Sequence, residues 1–209
     1  MCSPVVSGIG FVLLVACCIL LIAVTISTPV TQEIYIAEIT GPTVATRFGV
    51  LGACFSKGTP RDWHCTPRAV GYTLNTTMLP LLKQYEGMET MNKVVHHLSP
   101  YLIANTVAGG LAGMAYLTMC LAIWTDSRMW FAISYLSFYC GFIVVWIGYG
   151  FSLTLKNYLS SQIKVATDGA YLVSGGAGLW CSLGAAATYT VAILLVLAVN
   201  FSPGAPSRK

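Results

Sequence analysis

Hydrophobic positions along the chain gather into four long runs, Gly8–Ile26, Tyr101–Trp124, Met129–Leu155 and Ala170–Phe201. A helix needs roughly 20 apolar residues to cross a hydrocarbon core, and none of the four runs holds an Asp, Glu, Lys, Arg or His. They predict membrane helices over 8–26, 101–124, 129–151 (the membrane part of the third run) and 170–201, followed by a short tail over 202–209. The fourth run would be about 48 Å long at 1.5 Å per residue, against a core of about 30 Å, so its start is expected to rise out of the membrane.

The polar stretches between these runs are unequal, and only the first, over 27–100, is long enough to fold. There the hydrophobic period shortens to two in Thr31–Ile39 and again in Val44–Phe55, as in half-buried strands. Gly58, Thr59 and Pro60 supply a turn, Trp63–Cys65 a return strand, and Ala69–Leu74 one more candidate strand. Next, Met88, Met91, Val95 and Leu98 fall at helical spacing, with Glu89, Asn92, Lys93 and His96 off that stripe. An amphipathic helix over 87–99 is therefore expected, with Pro100 marking entry into the second membrane helix. The fold class predicted is an all-α membrane four-helix bundle carrying a small antiparallel β-sheet.

Composition agrees with the pattern. Hydrophobic residues make up 56% of the chain and charged ones 9%, with a mean hydropathy of +0.73, which excludes an ordinary soluble domain. The opening MCSPVVS has no basic segment, and no small-x-small cleavage site follows, so the first run reads as a retained anchor. Orientation follows from chemistry in the long loop. The sequon Asn75-Thr76-Thr77 and the pair Cys54 and Cys65 both belong in an oxidising, glycosylating compartment. The loop is accordingly placed outside, both termini in the cytosol, Asn75 as a glycosylation site and Cys54–Cys65 as a disulfide. The sequon at Asn200 falls on the cytosolic side and is read as chance. Cys17, Cys18, Cys120, Cys140 and Cys181 lie in the apolar runs as packing residues, and Cys2 is a candidate for palmitoylation.

Candidate chemistry is sparse. General acid–base and nucleophilic catalysis need titratable groups held in place, and the apolar runs supply none. His96 and His97 are adjacent and diverge on a helix, and His64 does not complete a ligand set, so no metal, no cofactor and no enzyme activity are expected. Six basic residues in the loop against five acidic ones make no ring of one sign, and no nucleic-acid partner is expected. Within the membrane, Gly109 and Gly113, flanked by Ala108 and Ala112, are expected to allow close helix packing and to matter more than the polar Asn105. The aromatic residues of the third run read as core fill.

The stretch Gly49-Val50-Leu51-Gly52-Ala53-Cys54, ten further residues and Cys65 resembles the signature of fungal claudin-like membrane proteins. Arg47-Phe48 before it, and Cys65-Thr66-Pro67 with Val70-Gly71-Tyr72-Thr73-Leu74 after it, are similar to the PalI branch, with Gly49, Gly52, Cys54 and Cys65 as motif residues. The resemblance implies a plasma-membrane protein with an external sheet on a left-handed four-helix bundle. It implies a role in ambient alkaline-pH signalling, in which such proteins support a seven-span sensor; in such a role His96 and His97 are the candidate pH-sensing groups, because histidine is the side chain that ordinarily titrates where ambient pH changes. Eisosome domains, wall integrity and calcium influx are roles of other members. PalI proteins carry a long hydrophilic cytosolic tail, whereas eight residues follow Phe201 here, so a short form is expected. Trp63 lies after the first loop Cys, not before it as in animal claudins, and a tight-junction role does not carry over. The function expected is a non-catalytic plasma-membrane organiser or accessory protein, in contact with the lipid bilayer and with another integral membrane protein or a second copy. The alternative is a factor for calcium or other ion influx.

Overall fold

A computed structural model describes the backbone over residues 4–41, 44–57, 62–72, 88–125, 127–167 and 169–200. The predicted turn at Gly58–Pro60, the sequon at Asn75, Cys2 and the tail over 202–209 lie outside the described residues.

Helix α1 (Pro4–Thr25) leads into strands β1 (Ala37–Thr40), β2 (Val44–Phe48), β3 (Ala53–Lys57) and β4 (Asp62–Cys65). Helix α2 (Met88–Leu98) follows, passes through a 3-10 segment (Ser99–Ile103) and continues as α3 (Ala104–Thr125). The chain then forms α4 (Arg128–Ala166), β5 (Leu172–Gly175) and α5 (Ala177–Asn200). Three helical stretches, Asn92–Thr125, Arg128–Val165 and Ala177–Leu195, are long and apolar enough to cross a membrane. In α1 the described apolar stretch is shorter, Val12–Thr25, and the helix packs on α3 and α5 to complete the bundle.

Several boundaries differ from the sequence expectation, each for a physical reason. The third run does not stop at 151 or 155. Helix α4 has 39 residues, about 58 Å at the α-helical rise, so it stands well clear of a 30 Å core. Leu155, Leu159 and Ile163 recur at intervals of four, one helical face, and are buried under the sheet. The fourth run is divided, because Leu172–Gly175 pairs with β1 and the helix starts only at Ala177. Thr31–Ile36 is turn and irregular backbone, not strand. The predicted strand Val44–Phe55 is two strands folded on each other at Gly49–Gly52, with the Gly49 N–H donating to the Gly52 carbonyl at 2.9 Å. Ala69–Tyr72 is a turn with Gly71 at φ +76°, a conformation that suits glycine. Pro100 tightens the helix into the 3-10 segment without ending it.

The sheet is antiparallel throughout, in the order β4-β3-β2-β1-β5. Its period-two alternation sends Ala37, Ile39, Phe48 and Ala53 into a core shared with Val24, Leu102 and the upper part of α4. The opposite face carries the row Ser174, Glu38, Arg47, Cys54 and Cys65, in register across all five strands. A second core fills the middle of the bundle, where Cys17 and Leu21 of α1 meet Ala108, Ala112 and Ala115 of α3 and Tyr189 of α5.

Candidate functional site: the junction of sheet and bundle

The motif residues form a turn locked onto the segment that leaves α1. An added Cβ at Gly49 would collide with the Thr28 carbonyl, and one at Gly52 would come within 2.6 Å of the Thr66 hydroxyl. The Val50 N–H donates to the Ser27 hydroxyl at 3.1 Å, and the Tyr72 hydroxyl donates to the Gly49 carbonyl at 3.0 Å. Tyr72 is buried, which pushes its phenol up from the ordinary range and keeps it a neutral donor. The Thr28–Pro29 peptide is cis. The two glycines of the motif thus serve close backbone approach.

Cys54 and Cys65 stand opposite each other on β3 and β4, with Cα atoms 4.0 Å apart, and are joined as a disulfide. Closing an eleven-residue separation contributes about 3 kcal/mol in the chain-entropy account, useful to a sheet with so little core of its own.

Beside the disulfide, the Arg47 guanidinium lies 4.7 Å from the ring centre of Tyr35 and 4.3 Å from that of Trp63. Its Nε is 3.2 Å from Glu38 Oε1, and a terminal nitrogen donates to the Gln32 carbonyl at 2.9 Å. Glu38 is only 7% exposed, so the Arg47 contact matters more there than a surface ion pair would. Burial first, then Glu38, pushes the Tyr35 phenol up. The Tyr35 carbonyl accepts from the Gly178 N–H at 2.8 Å, which ties the cluster to the start of α5. Sequence reasoning missed Arg47, Glu38 and Tyr35 as a unit, because only the register of β1 on β2 brings them together. The outer edge of the sheet, β4, leaves Asp62, His64 and Cys65 exposed.

His96 and His97 lie on the last turn of α2, exposed, with ring centres 6.1 Å apart. His96 Nδ1 is 2.7 Å from the Gly71 carbonyl. A carbonyl can only accept, so Nδ1 carries the hydrogen, and His96 tethers α2 to the turn that positions Tyr72. Among the described residues, no group of three His, Cys, Asp or Glu side chains could hold a metal ion.

In the bundle the closest approaches are not at Gly109 and Gly113. An added Cβ at Gly113 meets nothing within 4 Å, and one at Gly109 meets only Leu21 Cβ, at 3.3 Å. The buried stripe of α3 is instead Asn105, Ala108, Ala112, Ala115, Thr118 and Ala122, one helical face offset from the glycines. Asn105 is fully buried. Its Oδ1 accepts from the Ser182 hydroxyl at 2.9 Å, and its Nδ2 donates to the Ser152 hydroxyl at 3.4 Å, joining α3, α4 and α5. Gly148 makes the room, since a Cβ there would come within 2.7 Å of Asn105 Oδ1. Gly141 does the same for the Tyr189 hydroxyl.

The described geometry is that of a membrane bundle with a stapled sheet fixed on one end. No curated protein matches the chain significantly. The profile of the SUR7/PalI family, however, matches residues 6–201, nearly the whole chain and the entire sheet-and-bundle unit, and the chain belongs to that family.

Proposed function

We propose that the chain is a non-catalytic organiser of the plasma membrane, with its sheet outside and both termini in the cytosol, that supports another integral membrane protein. The observation that carries this reading is the outer face of the sheet. Arg47, held between the partly exposed rings of Tyr35 and Trp63 and paired with the buried Glu38, forms a preformed aromatic and cationic cluster on a disulfide-closed platform. Tyr, Trp and Arg are the residue types that concentrate binding energy at protein interfaces. Inside the bundle, Asn105 is engaged with Ser152 and Ser182, a linkage of three helices that suits a supporting role.

The partner class implied by the PalI resemblance is a seven-span sensor of ambient pH. His96 and His97 are the groups proposed to give a pH response, and Asn75 is the proposed glycan site. Protonating His96 at Nε2 leaves its Nδ1 tether to Gly71 in place, so the pair would act through added charge, without breaking the junction. Ion influx through a single chain is disfavoured by the filled centre of the bundle, where the rings of Phe138 and Tyr189 lie 5.2 Å apart, tilted by 35°.

The test is the surface fraction of the sensor in cells with and without this chain, at acidic and alkaline ambient pH. Several-fold less sensor at the surface is expected without it. The chain with both His96→Gln and His97→Gln should restore delivery but shift the midpoint of the pH response. Equal surface levels in all cells would remove the accessory role, and an unshifted midpoint would leave the histidines a structural role alone.

A further inference from the structure

Between α4 and α5, at the end of the bundle that carries the sheet, lies a crevice of about 200 Å³. Leu153, Leu179 and Leu183 make its wall largely apolar, and Tyr149, Trp180 and Lys156 complete it. Its depth in the membrane follows from helix geometry. Lys156 stands about 42 Å along α4 from Arg128 at 1.5 Å per residue, and a bilayer with its headgroups is about 40–45 Å thick. The two cations therefore sit in opposite headgroup layers. Trp180 is 66% exposed, and a tryptophan and a tyrosine at this level belong to the aromatic belt that borders the hydrocarbon.

The lining selects a class of occupant. A compact small-molecule pocket usually has about 300–1,000 Å³, so this crevice takes part of an acyl chain and not a whole compact ligand. Lys156 is its one charged lining residue. The Lys156 ammonium reaches the Asn157 side-chain oxygen at 3.5 Å and, among the described residues, forms no ion pair. A lipid phosphate would supply that counter-charge. The start of α5 adds the positive end of a helix dipole on the same side. The N–H groups of Gly178, Leu179 and Trp180 already donate to the Tyr35 and Gly176 carbonyls, however, so the direct contact falls to Lys156.

We propose that this crevice holds one phospholipid, with part of an acyl chain against Leu153, Leu179 and Leu183 and the phosphate on Lys156. The site does not depend on the identity of any protein partner. It makes the outer end of the bundle selective for phosphate-bearing lipids over neutral ones, next to the sheet that α5 supports through Tyr35.

The test uses the full chain in mild detergent, with lipid retention read by native mass spectrometry. Palmitoyl-oleoyl phosphatidylglycerol is compared with the diacylglycerol of the same acyl chains. Wild type should retain one phosphatidylglycerol, and diacylglycerol about fivefold less, the effect of one interfacial cation. Lys156→Ala should lose the same fivefold, and Lys156→Arg should keep most of the binding. Leu183→Trp, which fills the crevice, should lose the lipid with Lys156 still present, and excess glycerol phosphate should displace nothing. Equal retention by wild type and Lys156→Ala, or equal retention of the two lipids, overturns the proposal whether or not Leu183→Trp folds. Displacement by glycerol phosphate overturns it too, in favour of a free-phosphate site.

Discussion

Gly49→Val is expected to break the junction between sheet and bundle, lowering stability by about 4 kcal/mol and keeping the chain from the cell surface. The new Cβ would meet the Thr28 carbonyl, with the Thr28 C and Cα at 2.8 and 2.9 Å. Neither side can retreat. Thr28 is fixed by its N–H and its hydroxyl, both donating to the Ile34 carbonyl at 2.8 and 3.1 Å. Gly49 is fixed by its bond to Gly52 and by the Tyr72 hydroxyl. Overpacking typically costs about 1–3 kcal/mol, and each lost hydrogen bond about 1 kcal/mol more. Gly150→Val is the control, since a Cβ there meets nothing within 4 Å. Melting of the purified protein in detergent, with surface labelling in cells, reads the result. A Gly49 variant that melts and traffics like the Gly150 variant would show that the motif glycines are not there for backbone approach.

The second large effect reverses an expectation from sequence. Gly148→Leu should destabilise the bundle most, Asn105→Leu less, and Gly113→Leu hardly at all. At Gly148 the added Cβ would stand 2.7 Å from Asn105 Oδ1, 2.9 Å from its Cγ and 3.1 Å from its backbone nitrogen. The variant therefore meets backbone as well as side chain, and it also displaces the amide from Ser152 and Ser182. The steric part is worth about 1–3 kcal/mol, while an interhelical hydrogen bond in a membrane averages about 0.6 kcal/mol. Asn105→Leu forfeits only the latter kind. Gly113 faces open space, so its replacement changes little within the chain. Melting temperatures in detergent rank the three, and a Gly113→Leu loss as large as that of Gly148→Leu would contradict the packing described.

The apolar runs were legible because a charge in hydrocarbon is costly, so uncharged stretches stand out. The last eleven residues of α4, after Leu155, were not, because Lys156, Asn157, Ser160, Ser161, Gln162 and Lys164 read as a loop. The counter-signal was Leu155, Leu159 and Ile163 at a spacing of four, which outweighs the polar residues once the sheet lies over it. Strand β5 was hidden inside an apolar run, where a buried strand and a buried helix look alike. Only Gly175 and Gly176 marked the break, and Gly176 has no space for a side chain against Tyr35. The cysteine pair was readable from its spacing and surroundings, while the sandwich of Arg47 between Tyr35 and Trp63 depends on strand register and on a turn, neither of which is written locally. Gly109 and Gly113 look alike by spacing, but only Gly109 lies close to a neighbouring helix, at Leu21, while the buried stripe of α3 runs through Asn105 and the alanines.

In the proposed function, the outer face of the sheet meets another membrane protein. Trp63→Ala tests this most directly, because the side chain lies on that face against Arg47 and on an edge strand, away from both cores. The measurement is recovery of a co-expressed seven-span pH sensor with the tagged full-length chain from gentle detergent, alongside the melting temperature of each chain. The account predicts that Trp63→Ala loses most of the sensor while its melting temperature stays near that of wild type. Equal recovery by the two chains, or none above an unrelated four-span protein, would contradict it.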